Sequence, residues 1–467
     1  MITGRVVAVL RMIRDSYAFI PGLCLIGGVL AAIALTTLDA LYGGGWIDDL
    51  PFLLGPATSD GARGMLTTIG GSMLSVAGIV FSITLAAVVF ASGQYGPHVI
   101  PQYRRDRFAQ MTLGIMLSVY AYAMTALYVV QGGDTAVVPR LAIFGALILA
   151  SVGIVMLVLF ISHMLGMLHV SNVIARIGSE ALRLLDIEMP AEAEDLSDGM
   201  AFRRDADRRG ADERPGRWLT EDGDTVLRAK GRGYVLTEST GQLLEIAERQ
   251  DVAIDVLVRP GDYVTPRTPL LRHTGSDFDE ELRADLRSAF AFGTKRTPDE
   301  DVAFLIDELC AIGLRALSPG INDPFTATDV LHQLAALTER AARGVPVDPV
   351  RTAEDGEGRV RRPVLTFADV VRLGFDRMAT DAAANVTVAP ILVRIYDGLL
   401  AQCIREEACE RLAASAERFA RLCREQLPSD EAKAEIGERL EDVLERFRTD
   451  RSPAARRVAL LQRDSVA

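Results

Sequence analysis

Small and hydroxyl-bearing residues recur along one apolar stretch of the sequence at spacings of three and four. They are Thr68, Gly71, Ser75, Gly78 and Ser82. On a helix, this spacing places them in one stripe. Such a stripe has two interpretations: close packing of two membrane helices, with hydroxyls bonding across the contact, or a narrow watery path lined by weak oxygen ligands. The sequence leaves both open, and packing is the commoner use.

A second candidate is the run RALSPGINDPFTA, residues 315–327, which separates two helical patterns. Ser318 precedes a proline and is pushed out of helical geometry, so it ends the first helix. Asp323 is placed to cap the next helix, with Pro324 at its first position. Capping alone does not require both Asn322 and Asp323. Ser318, Asn322 and Asp323 therefore form a candidate contact corner, and a purely structural joint is the alternative.

The first 170 residues supply a membrane context for these candidates. Four apolar runs there are long enough to cross roughly 30 Å of hydrocarbon, and they cover about 17–37, 65–91, 110–130 and 141–163. Arginines cluster before the first run, between the second and third, and after the fourth. By the positive-inside rule, the sequence predicts a multi-pass protein of the bacterial cytoplasmic (inner) membrane with both termini in the cytoplasm.

None of the four predicted spans contains Asp, Glu, Lys or Arg. Proton relays and charge-coupled pumps depend on such residues within the membrane. The pattern therefore favours a passive pathway over a pump.

Residues 1–170 form the predicted transmembrane domain. The sequence after them predicts a soluble part with three regions. An amphipathic helix and a charged linker cover 171–223, a strand-rich module covers 224–275, and helical patterns fill 276–467. The element VRPGDYVTPRTPLL resembles half of a barrel-sandwich hybrid, with a plain hairpin as the alternative. The predicted fold class is mainly α: a four-helix transmembrane region, then a small β-barrel-like module and an α-helical domain, both cytoplasmic.

Charge and motif content exclude several functional classes. Beyond residue 170 the chain carries 42 basic and 55 acidic residues, so it offers no basic face for a nucleic acid. The five cysteines form no C-x-x-C pair and the five histidines are dispersed, which predicts no metal site. Motifs for phosphate binding and hydrolysis are absent. We therefore predict no catalytic residue and no cofactor.

Two runs carry a family resemblance. They are GSMLSVAGIVFSITLAAVVFASGQYGP, residues 71–97, and RTPDEDVAFLIDELCAIGLRALSPGINDPFTA, residues 296–327. Both resemble a bacterial family of predicted membrane proteins, domain of unknown function 2254, with the distinctive run S-P-G-I-N-D-P. The resemblance covers almost the whole chain. It implies a membrane protein and carries no catalytic residue across.

These observations predict an oligomeric channel-like or transport-related protein with a cytoplasmic regulatory domain. The alternative is a membrane-tethered scaffold or sensor whose cytoplasmic helical domain binds a partner protein. The expected partners are the lipid bilayer, further copies of the same chain, and an ion or small solute. The acidic soluble half excludes nucleic acid.

Overall fold

The computed structural model describes residues 17–42, 59–95, 106–130, 140–190, 225–274, 278–298, 300–352, 358–403 and 405–449. Contacts divide the chain into two compact units, Met1–Asn172 and Val173–Ala467. Most of the predicted charged linker lies outside the described residues.

The first unit contains four long apolar helices, as predicted. They are α1 (Phe19–Tyr42), α2 (Ser59–Tyr95), α3 (Arg107–Val129) and α4 (Arg140–Leu168). Each is long and apolar enough to cross a membrane. With 37 residues, α2 is about 55 Å long at 1.5 Å per residue. It therefore exceeds the roughly 30 Å of the hydrocarbon layer.

Glycines bring the helices of this unit into close contact. A Cβ atom added at Gly28 of α1 would overlap the backbone carbonyl of Ser118 in α3. One added at Gly114 of α3 would lie 2.9 Å from the Sγ of Cys24. Only residues without a side chain permit this approach of helix backbones.

Large side chains fill the interior of the bundle. Tyr122, Phe160, Leu66 and Met116 are fully buried. The Tyr122 hydroxyl donates a hydrogen bond of 2.8 Å to the carbonyl oxygen of Ala142, so its polar group is satisfied inside the apolar core. In the part of the bundle that the structure describes, these side chains form a packed core.

Two charged side chains bind helix ends at one end of the bundle. Asp39 of α1 accepts hydrogen bonds from the backbone N–H groups of Leu141 (3.1 Å) and Ala142 (3.0 Å), in the first turn of α4. Arg63 of α2 donates to the carbonyl oxygen of Val130 at 3.0 Å, directly after α3. Each charge has the sign that the helix dipole favours at that end.

The expectation that no span contains a buried acidic residue is wrong for the first span. Helix α1 continues beyond residue 37, and Asp39 in its last turn is 5% exposed. Both carboxylate oxygens accept hydrogen bonds from α4. The residue therefore acts as a cap for α4.

The opposite end of the bundle is joined through Asp106. One carboxylate oxygen caps α3 by accepting from the N–H of Phe108 at 3.1 Å. The other lies 2.9 Å from Nε2 of His163 on α4. The rings of Phe108 and His163 pack with their centroids 4.8 Å apart. Polar contacts thus join the helices at both ends of the bundle.

The second unit contains two small sheets. The strands are β1 (Thr225–Arg228), β2 (Gly233–Glu238), β3 (Ile254–Val256), β4 (Tyr263–Val264), β5 (Pro269–His273), β6 (Phe290–Gly293), β7 (Val350–Thr352) and β8 (Gly358–Arg361). One sheet has the order β1-β5-β3-β8-β7 and the other β4-β2-β6. Among the described strands the sheets do not close into the barrel that the sequence suggested. Three strands, β6 to β8, come from the stretch predicted as helical.

Strands β3 and β8 pair in parallel. An ion pair reinforces this pairing, because the guanidinium of Arg361 binds both carboxylate oxygens of Asp255 at 2.7 Å. Beneath the sheets, Leu243, Leu270 and Leu286 are fully buried in one apolar cluster. Residues from distant parts of the chain therefore share this core.

Helices make up the remainder of the second unit. They are α5 (Val170–Glu188), α6 (Thr240–Gln250), α7 (Glu280–Ser288), α8 (Val302–Leu317), α9 (Pro324–Arg343), α10 (Phe367–Val371), a π-helical turn (Arg372–Asp376), α11 (Arg377–Ala383), α12 (Ala389–Gln402), α13 (Glu406–Gln426) and α14 (Asp430–Thr449).

Helix α5 packs along α9. The side chain of Gln333 lies against Gly178, where an added Cβ would meet its Cδ at 2.8 Å. Further along both helices, Nε of Arg340 donates to Asp186 at 2.7 Å. Because the contacts advance along both helices together, α5 and α9 run in the same direction.

Helix α8 carries a buried carboxyl group, Glu308, which is 5% exposed. Burial raises the pKa of Glu308 to about 8, against the opposing attraction of Arg296. That guanidinium is itself bound to Asp301 and Asp307, each at 2.7 Å. Glu308 therefore carries its proton at neutral pH.

We predict that Glu308→Gln removes a pH-dependent loss of stability. The folded state holds this proton to a higher pH than the unfolded chain, whose ordinary pKa is 4.5, so stability is lost as pH rises towards 8. Between pH 5 and 8 the wild type should lose roughly 2 to 4 kcal/mol more than the variant. Thermal unfolding of the full chain in detergent, followed by circular dichroism, measures the difference. Parallel pH profiles would contradict the assignment.

Candidate functional site

The predicted stripe on α2 faces away from the other helices of its unit. All five of its residues are exposed: Thr68, Gly71, Ser75, Gly78 and Ser82. The opposite face of α2 is buried, including Leu66, Met73 and Val80. A Cβ atom added at Gly71 or Gly78 would meet no atom within 4 Å. The stripe therefore has no packing partner within the described part of the chain.

The stripe is also longer than the sequence analysis recognised. Because α2 begins at Ser59, Gly61 and Gly64 belong to the same exposed face. The residues then alternate between steps of three and four: Gly61, Gly64, Thr68, Gly71, Ser75, Gly78 and Ser82. We call these seven residues the seam. The same spacing upstream would have revealed the first two, but the predicted span began at residue 65.

The seam has the period of a helix–helix contact. A seven-residue repeat averages about 3.5 residues per turn, whereas a straight helix has about 3.6. The seam therefore stays against a second helix only if the two wind around each other in a left-handed sense. From Gly61 to Ser82 it is about 31 Å long at 1.5 Å per residue. This length matches the roughly 30 Å of the hydrocarbon layer.

Three hydroxyl groups repeat along the seam every seven residues. Those of Thr68, Ser75 and Ser82 donate to the carbonyl oxygen four residues earlier, at 2.7, 3.0 and 2.8 Å. The protons are used within the helix, and the oxygen lone pairs remain as acceptors on the outer surface. Successive hydroxyls are about 10.5 Å apart along the helix axis. The seam thus presents oxygen ligands and no charged group.

A groove lies at the N-terminal part of the seam. Its lining is mostly apolar and consists of Gly61, Gly64, Met65, Thr68, Ile69 and Leu147. The groove lies between α2 and Leu147 of α4, where two glycines leave the surface of α2 without large side chains. It opens on the same exposed face as the rest of the seam.

At the corner between α8 and α9, Asp323 and Ser318 have structural roles. One oxygen of Asp323 accepts from the N–H groups of Phe325 (3.1 Å) and Thr326 (3.2 Å), and the other accepts from the Thr326 hydroxyl at 2.6 Å. This is the predicted N-cap of α9. Ser318 ends α8, and its hydroxyl donates to the carbonyl oxygen of Arg315 at 2.6 Å.

Asn322 shows why this joint contains a second polar side chain. Its φ of 47° lies in the left-handed region, which asparagine tolerates better than most residues. Its side-chain oxygen accepts a hydrogen bond of 3.4 Å from Nδ2 of Asn385. Asn385 in turn caps the next turn by accepting from the N–H groups of Thr387 and Val388. The two asparagines join the corner to the segment that leads into α12.

Three large apolar side chains are exposed at the corner, beside the exposed polar residues Asn322 and Thr387. Phe325 is 79% exposed, Val386 is 52% exposed and Ile321 is 44% exposed. In sequence, each is next to, or within three residues of, one of the two asparagines that contact each other. We call Ile321, Phe325 and Val386 the corner patch. Sequence reasoning missed it because an apolar residue beside a helix cap usually enters the core.

We predict that Asp323→Ala lowers the stability of the protein by about 1 kcal/mol or more, because it removes the N-cap of α9. Asn322→Ala should cost about 1 kcal/mol through its left-handed backbone. Asn322→Gly should recover most of that loss, because glycine accepts this conformation freely. Thermal unfolding of the full chain in detergent compares the three variants. Equal losses for Asn322→Ala and Asn322→Gly would show that the backbone conformation is not the cause.

Comparisons with known proteins agree with this membrane architecture. The uncharacterized protein Rv1290c of Mycobacterium tuberculosis is 28% identical over 390 residues, which cover 80% of this chain and 70% of the relative. The uncharacterized protein Mb1321c of Mycobacterium bovis is similar to the same extent. No solved structure matches the chain significantly. The family described as predicted membrane protein (DUF2254) matches residues 14–397, and the chain therefore belongs to this family.

Proposed function

We propose that this membrane protein forms homo-oligomers through the seam and gives an ion or a small polar solute a passive route across the bilayer. The observation that carries the proposal is the seam itself. Its seven small residues lie on one exposed face of α2, and its length is about that of the hydrocarbon layer. The seven-residue period of the seam is typical of a helix that packs against a second helix. In the proposal, a second copy of the chain supplies that helix.

In the proposal the route runs between copies of the chain, because side chains fill the interior of the helix bundle within one copy. Tyr122, Phe160 and Met116 are fully buried in the bundle. Glycine use supports the same conclusion. Gly28 and Gly114 are in contact with a neighbouring helix, whereas Gly71 and Gly78 face open space. A glycine face without a partner in its own chain is typical of contacts between membrane helices.

The chemistry of the seam favours passive transfer. Rings of hydroxyl oxygens, contributed by Thr68, Ser75 and Ser82 of each copy, would replace part of the hydration shell of a cation or a polar solute. Coupled transport depends on charged residues in the membrane, and the seam has none. Asp39 is buried, but its carboxylate binds the backbone of α4.

In this proposal the second unit lies in the cytoplasm and regulates the route. The arginine distribution supports this side for both termini. Helix α5 begins two residues after Leu168, the last residue of α4, and it packs along α9 through Gly178 and Asp186. We propose that a displacement of α9 moves α5 with it, and that this movement is the regulatory signal.

Reporter fusions test the orientation. A fusion after Gly132 follows the third span, and a fusion after Gly178 follows the fourth, so the two reporters should lie on opposite sides of the membrane. Alkaline phosphatase should be active only in the first fusion, and a green fluorescent protein should fluoresce only in the second. The reverse pattern would invert the topology, and identical reports from both fusions would overturn the number of spans.

Flux through liposomes tests the route. The reconstituted wild type should pass K⁺, Cl⁻ or glycerol, each followed separately. Ser75→Leu and Gly78→Leu should lower that flux several-fold, because a large side chain enters the space between copies. Gly27→Leu is the matched control, since Gly27 is exposed on α1 and an added Cβ meets no atom within 4 Å. Its flux should equal that of the wild type.

The oligomeric state of each sample, measured by light scattering in detergent, decides between the two uses of the seam. Loss of flux in an intact oligomer supports a route along the seam. If the wild type passes none of the three solutes and the seam variants dissociate, the seam serves packing alone. The protein would then be a membrane-tethered scaffold or sensor. A wild type that is monomeric would overturn the proposal altogether.

A further inference from the structure

The direction of α9 relative to α5 fixes which end of the second unit carries the corner. Beyond the contacts of Gly178 and Asp186, the pairing continues past the helix ends. The N–H of Val345 donates to the carbonyl oxygen of Pro190 at 3.1 Å, directly after both helices have ended. The ends of α5 and α9 therefore lie together, and so do their beginnings.

The beginning of α9 is the corner. From Gln333, which touches Gly178, the helix runs back ten residues to Asp323, a distance of about 15 Å. The same distance back from Gly178 reaches the beginning of α5. That point follows Met167, the last residue of the fourth candidate span, by only a few residues. The corner thus lies beside the beginning of α5, the part of the second unit that follows the fourth candidate span in sequence.

The corner patch is a cluster of exposed apolar side chains at this end. Phe325 is the most exposed of its members, at 79%. Asp323 is engaged by the backbone and hydroxyl groups of α9. In the last turns of the adjoining helices, the exposed charged residues are Arg315 of α8 and Asp381 of α11. Apolar side chains beside a basic one are typical of segments that lie in a membrane interface.

We propose that the corner patch inserts into the interfacial region of the lipid bilayer. We assign the bilayer as the occupant because the beginning of α5, which lies beside the corner, follows the fourth candidate span by only three residues of chain. Phe325, Ile321 and Val386 enter the boundary between headgroups and acyl chains, and Arg315 remains at the headgroup level. The S-P-G-I-N-D-P run then holds these apolar residues outward at the end of a rigid helix pair.

Depth-dependent quenching in reconstituted vesicles tests the proposal. The full chain carries a bimane fluorophore at Phe325→Cys or Val386→Cys, in phosphatidylethanolamine–phosphatidylglycerol vesicles with spin-labelled lipid. The matched control is Ile187→Cys, because Ile187 is 63% exposed at the far end of α5. The unsubstituted protein gives the background from the native cysteines. Spin-labelled lipid should quench the labels at 325 and 386 at least twofold more than the label at 187.

Quenching by aqueous iodide distinguishes insertion into the bilayer from two alternatives, which are exposure of the patch to water and coverage by a second copy of the chain. Iodide should quench the label at 187 and leave the labels at 325 and 386 nearly unaffected. If iodide quenches all three labels equally, the patch is in water and the proposal fails. If neither quencher reaches 325 and 386, a second copy covers the patch, which also overturns the proposal. The quenching measurement does not depend on solute flux, so it tests the corner patch independently of the proposed route across the bilayer.

Discussion

Unsatisfied backbone groups at helix ends are the constraint on which much of this structure depends. Each helix leaves four N–H and four C=O groups unpaired, and side chains from other elements meet several of them here. Asp39 binds the start of α4, and Arg63 binds the end of α3. In the second unit Asn322 contacts Asn385, which caps the next turn. A helix end thus fixes the position of a neighbouring element as well as its own length.

Glycine has two different uses in the first unit. Gly28 and Gly114 allow α1 and α3 to touch, so their cost in helix propensity is offset by packing inside the chain. Gly64, Gly71 and Gly78 of the seam have the same cost, but a Cβ atom added there would meet no atom within 4 Å. A helix that carries four glycines on one exposed face is therefore unlike a helix that only faces lipid, for which larger apolar residues would serve better.

The sequence predicts the four spans, the cap at Asp323 and the stripe on α2, because each is a local pattern of residue type and spacing. It does not reveal that the stripe faces outward, since that depends on which face of α2 the other three helices cover. The sequence does not reveal the beginning of α2, because Asp60 and Arg63 resemble a loop, and the apolar pattern of α1 ends before Asp39. Strand β8 follows a charged stretch and pairs with β7 just before it and, in parallel, with β3, which lies about a hundred residues earlier. Such contacts are set by tertiary packing, which local propensity does not report.

The parallel pairing of β3 and β8 determines when the second unit can be completed during synthesis. Strand β3 ends at Val256, but β8, its parallel partner, ends at Arg361. At about 5–20 residues per second, the ribosome needs roughly 5 to 20 seconds to make the intervening chain. During that interval one edge of β3 has no strand beside it, and an unpaired edge is a site for mistaken strand pairing. A nascent chain already tethered to a bilayer by four helices meets fewer other chains in that time.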